Sequence, residues 1–341
     1  MSMRALTFVA AALIILSGIA YFASDRPAPG EQRDSIFVPA LGTELNDIDT
    51  IVIRSAGNEP RVTLQRAAAG WSVTERDGYR ADTGKIRAAL TALAEAKIVE
   101  AKTANPDLHV RLGVSDIEEE DARGIMVSFL PESLGLQSLL LGDPEGSGYR
   151  YARRADDNQS YLIDANPEFP TNAAEWVVPT ILDVRGARVE RVVIQHTDGE
   201  QLVLFKDNVE QPNYSVSDVP TGRELQYPGV ANVIANALRE LRLEDVAAAS
   251  PADPATEVVT EFETFDGLIV RAEGIRIDDE GWLQFSARLD EQFGSPDETV
   301  ANEAESINAV VTGWRYRIPS YQYDQIARRM SDLLRAEDAS D

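Results

Sequence analysis

The stretch RADTGKIRAAL, Arg80–Leu90, places Gly84 and Lys85 at a predicted helix start, where backbone amides and a lysine can cradle phosphate oxygens. That chemistry needs a glycine-rich turn and a Ser or Thr directly after the lysine. Here a single glycine precedes Lys85 and Ile86 follows it. Asp82 instead has the type and position of a cap for free helix amides, so a capped helix is expected. A serine nucleophile on a strained elbow needs glycine two residues ahead of it, and in PESLG Pro131 occupies that place, which leaves a loop between strands. His196, followed by Thr197 and Asp198 before Gly199, reads as a surface turn histidine, and His109, after Asn105-Pro106-Asp107, as a loop residue. The run SDIEEED, Ser115–Asp121, gathers carboxylates without the glycine-bearing spacing of a calcium loop and reads as solvated.

Elimination goes further. The chain has no cysteine and two histidines, which excludes thiolate nucleophiles, disulfides, cysteine zinc sites and multi-histidine metal sites. No catalytic, cofactor-binding or metal-ligating residue is assigned, and a non-enzyme is expected. Scattered acids keep two alternatives open: a periplasmic carboxylate-dependent hydrolase acting on envelope polysaccharide, and a freestanding ligand-binding protein. The strongest surface candidate is WRYRIPSYQYDQIARRM, Trp314–Met330, where aromatics alternate with arginines in an otherwise acidic chain. Trp314, Arg315, Tyr321, Tyr323, Arg328 and Arg329 are its candidates for contact with a partner. Against that, Tyr316 and Ile318 have the alternation of strand core, and Arg328 and Arg329 fit the outer face of a closing helix. Trp71, Trp176 and Trp282 are expected in the core.

Several elements must position these residues. The 341 residues suffice for two domains, and 57 acidic against 32 basic side chains give a net charge of −25, which disfavours nucleic acid and anionic lipid as partners. Ala5–Ala23 carries no charge and as a helix spans about 28 Å, close to a hydrocarbon core. The expected organisation is a cytoplasmic tail over 1–4, a transmembrane anchor over 5–24 and a linker over 25–46. The rest then lies in the periplasm, as a single-pass protein of the cell inner membrane. A cleaved signal peptide, with Gly18 and Ala20 as small residues near a cleavage site, is the competing reading.

The body repeats itself. IDTIVI (Ile48–Ile53) answers VERVVI (Val189–Ile194), VTLQR answers LVLFK, and WSV (Trp71–Val73) answers YSV (Tyr214–Val216). Ile86, Ala89, Leu90 and Leu93 correspond to Ile234, Ala237, Leu238 and Leu241, one apolar stripe on each of two helices, the second opened by Pro228. GIMVSF from Gly124 is matched with GLIVRA from Gly267, YRYARR from Tyr149 with LQFSAR from Leu283, and Tyr161–Ile163 with Tyr316–Ile318. Turns such as Asp278-Asp279-Glu280-Gly281 predict antiparallel hairpins. The expected fold class is α+β: two tandem copies, 47–184 and 188–336, of a strand-rich unit with a central and a C-terminal helix, preceded by one transmembrane helix.

In order, a strand pair, GWSV, RAD opening a helix, LHVRLGV (Leu108–Val114) and LLLGDPEGSGYRYAR (Leu139–Arg153) resemble the domain-of-unknown-function 4340 family. The resemblance covers most of Ile48–Asp183 and, more faintly, the second copy. Arg111-Leu112-Gly113 departs from it where an aromatic commonly precedes the Leu or Gly. It implies a bacterial envelope protein with an N-terminal membrane segment, with gliding-type ABC transporter permeases or their auxiliary subunits as partners. It implies no catalytic residues.

Overall fold

The computed structural model describes residues 33–290 and 297–336; the expected membrane span lies outside them. Among the described residues no helix is long and apolar enough to cross a membrane. The fold mixes a few helices with strand-rich antiparallel sheets. The chain divides into two compact units, one running to Glu75 and resuming over Ala81–Trp176, the other made of Arg76–Arg80 and Val177–Asp341.

In the first unit the strands are β1 (Thr50–Ser55), β2 (Glu59–Ala67) and β3 (Gly70–Val73). After β4 (Tyr79–Arg80), which falls in the second unit, come β5 (Ile98–Ala101), β6 (Ile125–Leu130), β7 (Leu139–Glu145), β8 (Tyr149–Arg154) and β9 (Ser160–Ile163). Their hydrogen-bonded order is β3-β2-β1-β6-β7-β8-β9-β5. Ile51, Val52 and Ile53 of central β1 are all buried, the continuous apolar run of a strand covered on both faces. The folded body starts earlier than a linker to residue 46 would allow. Ser35 and Phe37 hydrogen-bond to Ile98 and Ala96, Ile36 bridges to Lys97, and helix α1 (Pro39–Glu44) follows, with Phe37 and Leu41 fully buried. Phe37 packs on Tyr161 at 5.9 Å beneath the Arg154 guanidinium. These apolar contacts make Phe37 and Leu41, which lie in the stretch read as a linker, part of the core.

Helix α2 (Thr83–Glu95) buries the stripe Ile86, Ala89, Leu90 and Leu93. The Asp82 carboxylate accepts from the Lys85 N–H at 3.0 Å, so the helix start is a cap. The Lys85 ammonium donates to the Glu175 carbonyl at 2.9 Å and sits over the Trp176 ring. LHVRLGV forms a 3-10 helix, Pro106–Leu112, ended by left-handed Gly113. It crosses β6 and β7 so closely that a Cβ on Gly142 would lie 2.2 Å from the Leu112 carbonyl oxygen, and one on Gly124 2.2 Å from that of Gly113. His109 is buried rather than on a surface loop, its Nε2 hydrogen-bonded to the Asn158 carbonyl at 2.8 Å.

The second unit holds β10 (Thr180–Leu182), β11 (Val189–His196), β12 (Gln201–Phe205), β13 (Ser215–Val216), β14 (Leu241–Arg242) and β15 (Asp245–Ala248). It continues with β16 (Val258–Thr264), β17 (Leu268–Ile277), β18 (Glu280–Leu289) and β19 (Trp314–Arg317). β10 and β14 form a small ladder; the main order is β13-β12-β11-β16-β17-β18-β19-β15, the succession of the first unit with each label raised by ten. This register corrects one of the sequence matches. Gly124–Phe129 leads into β6, which pairs with β1, whereas Gly267 leads into β17, and it is β16 that pairs with β11. β16 alternates Val258, Thr260, Phe262 and Thr264 inward, so its two threonines hid a core strand from a hydropathy match.

The second central helix is also curtailed. Ile234, Ala237, Leu238 and Leu241 are buried, but helix α3 spans only Asn232–Ala235 and Pro228 lies in the turns before it. The Asn236 side-chain amide donates to the Asn232 carbonyl at 2.9 Å, occupying an acceptor that helix propagation needs. The second unit carries helix α4 (Glu298–Val311) between β18 and β19, where the first unit has a turn between β8 and β9, and helix α5 (Ser320–Ile326) after β19. The first unit ends in the 3-10 turn Ala173–Trp176 instead of a C-terminal α-helix. Trp176 is core as expected, whereas Trp71 and Trp282 are only half-buried.

Arg188 ties α4 down, bonding Asp266 at 2.7 Å and both carboxylate oxygens of Glu303 at 2.6–2.7 Å. Partial burial pushes the Asp266 pKa up, but hydrogen bonds from Arg188 and Thr264 outweigh it, and the net position is below the usual aspartate value. A depressed carboxylate stabilises the fold above its unfolded pKa of about 3.9 and loses that contribution as pH falls through the lower folded value. Asp266→Asn should therefore melt lower than wild type at pH 7, with the gap closing in acid; thermal melts across pH check this, and a gap that persists in acid would contradict it.

Candidate functional site

The six contact candidates do not form one patch. Trp314 is half-buried and meets Tyr79 edge-to-face at 4.8 Å, and Arg315 is ion-paired to Asp253 and lies over the Trp282 ring. Arg328 is half-buried, its carbonyl 3.3 Å from His196 Nε2. Tyr321, Tyr323 and Arg329 do gather, around α5. Tyr323 is 2% exposed and Tyr321 62% exposed, two residues apart and so on opposite sides of one short helix.

The sequence dictates this arrangement. Pro319 opens α5, and Ile326 and Tyr323 turn inward. The buried Thr260 hydroxyl donates to the Ile326 carbonyl at 2.7 Å, fixing the helix to β16. Two glycines then make room for the Tyr323 ring. A Cβ on Gly281 would lie 2.4 Å from its ring carbons, and one on Gly274 2.9 Å from its hydroxyl oxygen, so the ring lies across β18 and β17. The Arg276 guanidinium covers the ring at 5.1 Å. The hydroxyl is buried without a hydrogen-bond partner among the described residues, and burial pushes its pKa up to about 12.

Cavities open on both sides of Tyr323 and Arg276. One, of about 540 Å³, is lined by Glu244, Asp279, Glu280, Arg317, Tyr321 and Asp324 among others. The other, of about 420 Å³, includes His196, Thr197, Glu257, Val258 and Arg329. Arg317 donates to both carboxylate oxygens of Glu280 at 2.7–2.8 Å, and Arg329 holds Asp198 at 2.9 Å and also Glu200. The Asp198 pKa is lowered, first by the backbone N–H of Glu200 and then by Arg329. His196 is buried at the end of β11, not on a turn surface: its N–H bonds the Glu200 carbonyl at 2.9 Å and its ring reaches the Arg328 carbonyl. Arg276, Glu257 and Gly274 are not among the sequence candidates, and Gly281 entered only as a turn residue; a glycine on each arm of the hairpin GIRIDDEG is the signal that something approaches closely.

Other polar clusters serve the fold. In the first unit Arg150 lines a cavity of about 350 Å³, yet it donates to the Gly142 and Pro167 carbonyls at 2.8–2.9 Å, and burial lowers its pKa. Glu132–Leu134 is a 3-10 turn between β6 and β7, so PESLG is a connecting loop. Among the described residues no group of three His, Asp or Glu side chains is placed to hold a metal ion.

Comparison with known proteins gives no match among curated proteins or solved structures. A family model, described as a domain of unknown function (DUF4340), matches residues 71–260, from β3 in the first unit to β16 in the second. That span includes the glycine-dependent crossing of Pro106–Leu112 over β6 and β7 and exceeds half of the chain, and the protein therefore belongs to the DUF4340 family.

Proposed function

We propose that this is a non-enzymatic binding or scaffold protein of the bacterial periplasm, anchored in the inner membrane by residues 5–24 and accessory to an ABC-type transport or envelope complex. The anchor follows from the uncharged stretch of the sequence and the transport partners from the family resemblance. The two units are tandem copies of one ancestral module; the matching succession of eight strands supports that origin. Insertion of α4 in one copy and curtailment of the central helix account for the divergence of the two sequences.

The observation that carries the reading is Tyr321. A large aromatic ring is 62% exposed on a helix whose opposite side is clamped by Tyr323 and Ile326. A rigidly presented tyrosine loses little conformational freedom on binding and is among the side chains that dominate contact energies. The test is purification of the full chain from membranes in mild detergent. Transporter subunits should co-purify, and Tyr321→Ala should lower their recovery by at least about tenfold. A chain recovered alone in several detergents, or unchanged recovery with the variant, would defeat the proposal.

A further inference from the structure

We infer that the unpartnered side of α5 docks an arginine from a segment of a partner protein, its guanidinium lying on the Tyr321 ring and among the carboxylates of Glu244, Asp279 and Asp324 in the cavity of about 540 Å³. This docking rests on the reading of Tyr321 as a contact residue. Tyr321 and Asp324 are three residues apart on one helix, hence on the same side, and both are exposed. That side is held still by what lies opposite: Tyr323 and Ile326 are buried, and the Thr260 hydroxyl fixes the Ile326 carbonyl. A ring presented this way offers its negative face to a cation at little conformational cost.

Charge decides the kind of partner. In a chain of net charge −25, exposed acids alone single out nothing. The wall of this cavity, however, brings four carboxylates beside the exposed ring against two guanidiniums, and both guanidiniums are already engaged. Arg317 donates to both oxygens of Glu280, and Arg276 donates to the Asp279 carbonyl and faces Glu257. Glu244 is 50% exposed and lies 3.8 Å from Arg317, while the Asp279 and Asp324 carboxylates form no ion pair among the described residues. The surplus is negative, so a basic segment is drawn in and an acidic one repelled. These acids ring a cavity without converging on a point, since no group of three among the described residues is placed to hold a metal ion. That spacing suits a broad, flat cation. A guanidinium stacks on an aromatic face and forks onto a carboxylate together, whereas an ammonium is a compact point charge. The protein shows the arrangement internally, where Arg315 lies over the Trp282 ring while ion-paired to Asp253.

The test is titration of the full chain in detergent with the capped tripeptide Gly-Arg-Gly, followed by saturation-transfer NMR. Its citrulline counterpart keeps the shape without the charge, and Gly-Lys-Gly supplies the point charge. The arginine peptide should bind, the lysine peptide more weakly, and the citrulline peptide at least about fivefold more weakly. Tyr321→Ala, and Asp279→Asn combined with Asp324→Asn, should each weaken the arginine peptide by about fivefold. All three side chains are exposed, and Asn tolerates the positive φ of Asp279, so melting temperatures should match wild type and lost binding is not lost folding. Glu118→Gln combined with Glu120→Gln removes the same charge from an exposed acidic run elsewhere and should bind as wild type does. Equal binding of the citrulline peptide, tighter binding of the lysine peptide, full affinity in Tyr321→Ala, an equal loss in the Glu118 and Glu120 variant, or no binding of the arginine peptide at about 10 mM would each overturn the assignment. Co-purification separates the two readings. Transporter subunits lost with Tyr321→Ala but retained with Asp324→Lys would overturn the arginine and leave the contact standing. A chain recovered alone that still selects the arginine peptide would defeat the transporter partner and uphold the subsite.

Discussion

Gly142→Ala and Gly124→Ala should each cost about 3 kcal/mol, the upper part of the range for overpacked sites. The new methyl at 142 would sit 2.2 Å from the Leu112 carbonyl oxygen and 2.7 Å from a Val114 methyl; at 124 it would sit 2.2 Å from the Gly113 carbonyl oxygen and 2.9 Å from that of Leu141. Three of these four obstacles are backbone atoms and cannot rotate away. The 3-10 helix Pro106–Leu112 would have to lift from β6 and β7, which also strains the buried His109 contact to Asn158. For a unit of this size the loss corresponds to about 6–12 °C in melting temperature. Gly42→Ala is the control, since a Cβ there meets nothing within 4 Å and its backbone is helical. Calorimetry should separate the variants clearly; near-wild-type melting for both core variants would mean that the crossing is looser than its geometry.

Arg153→Ala should be comparably damaging, about 3–5 kcal/mol. Its side chain lies on β8, only 2% exposed, and donates to the carbonyls of Val114, Ala155 and Asp157 at 3.0–3.3 Å and to the Asp116 carboxylate. One guanidinium thus replaces water for two loops at once. Truncation leaves a cavity and takes the guanidinium away from all three carbonyls. The carboxylate contributes less, because Asp116 is 64% exposed and water already solvates it; Asp116→Ala should cost only about 1 kcal/mol. Urea denaturation midpoints measure the difference. Equal losses in the two variants would mean that the ion pair, rather than the carbonyl contacts, holds this corner.

What the sequence made legible was local. Asp82 as a helix cap, Tyr316 as strand core with Ile318 buried just past the strand's end, and the hairpin at Asp278-Asp279, where both residues take positive φ, rest on spacing and turn chemistry within a few residues. The α+β, antiparallel character was readable for the same reason. The errors arose from distant partners. His109 and His196 are buried because their ring nitrogens meet carbonyls 49 and 132 residues away. The match of Gly124 to Gly267 fell one strand out of step because β16 uses threonine at core positions, while β17 begins with the glycine and apolar run that β6 also has. Tyr321 was visible as a candidate, but its neighbour Tyr323 was not separable from it until the glycine cradle set which of the two rings faces in.

The early start of the folded body bears on how it behaves among neighbours. β5 is the outermost strand of its row, and a bare strand of that kind invites pairing with any extended chain that passes. Residues 34–37 run antiparallel to residues 96–98, where the chain enters β5, engaging Ala96 and Ile98, with Phe37 pinned beneath Arg154. They act as a selvedge at the entry to that strand: there the weave is finished by the chain's own thread, so a β-rich module crowded against others of its kind has less of a free border to splice onto.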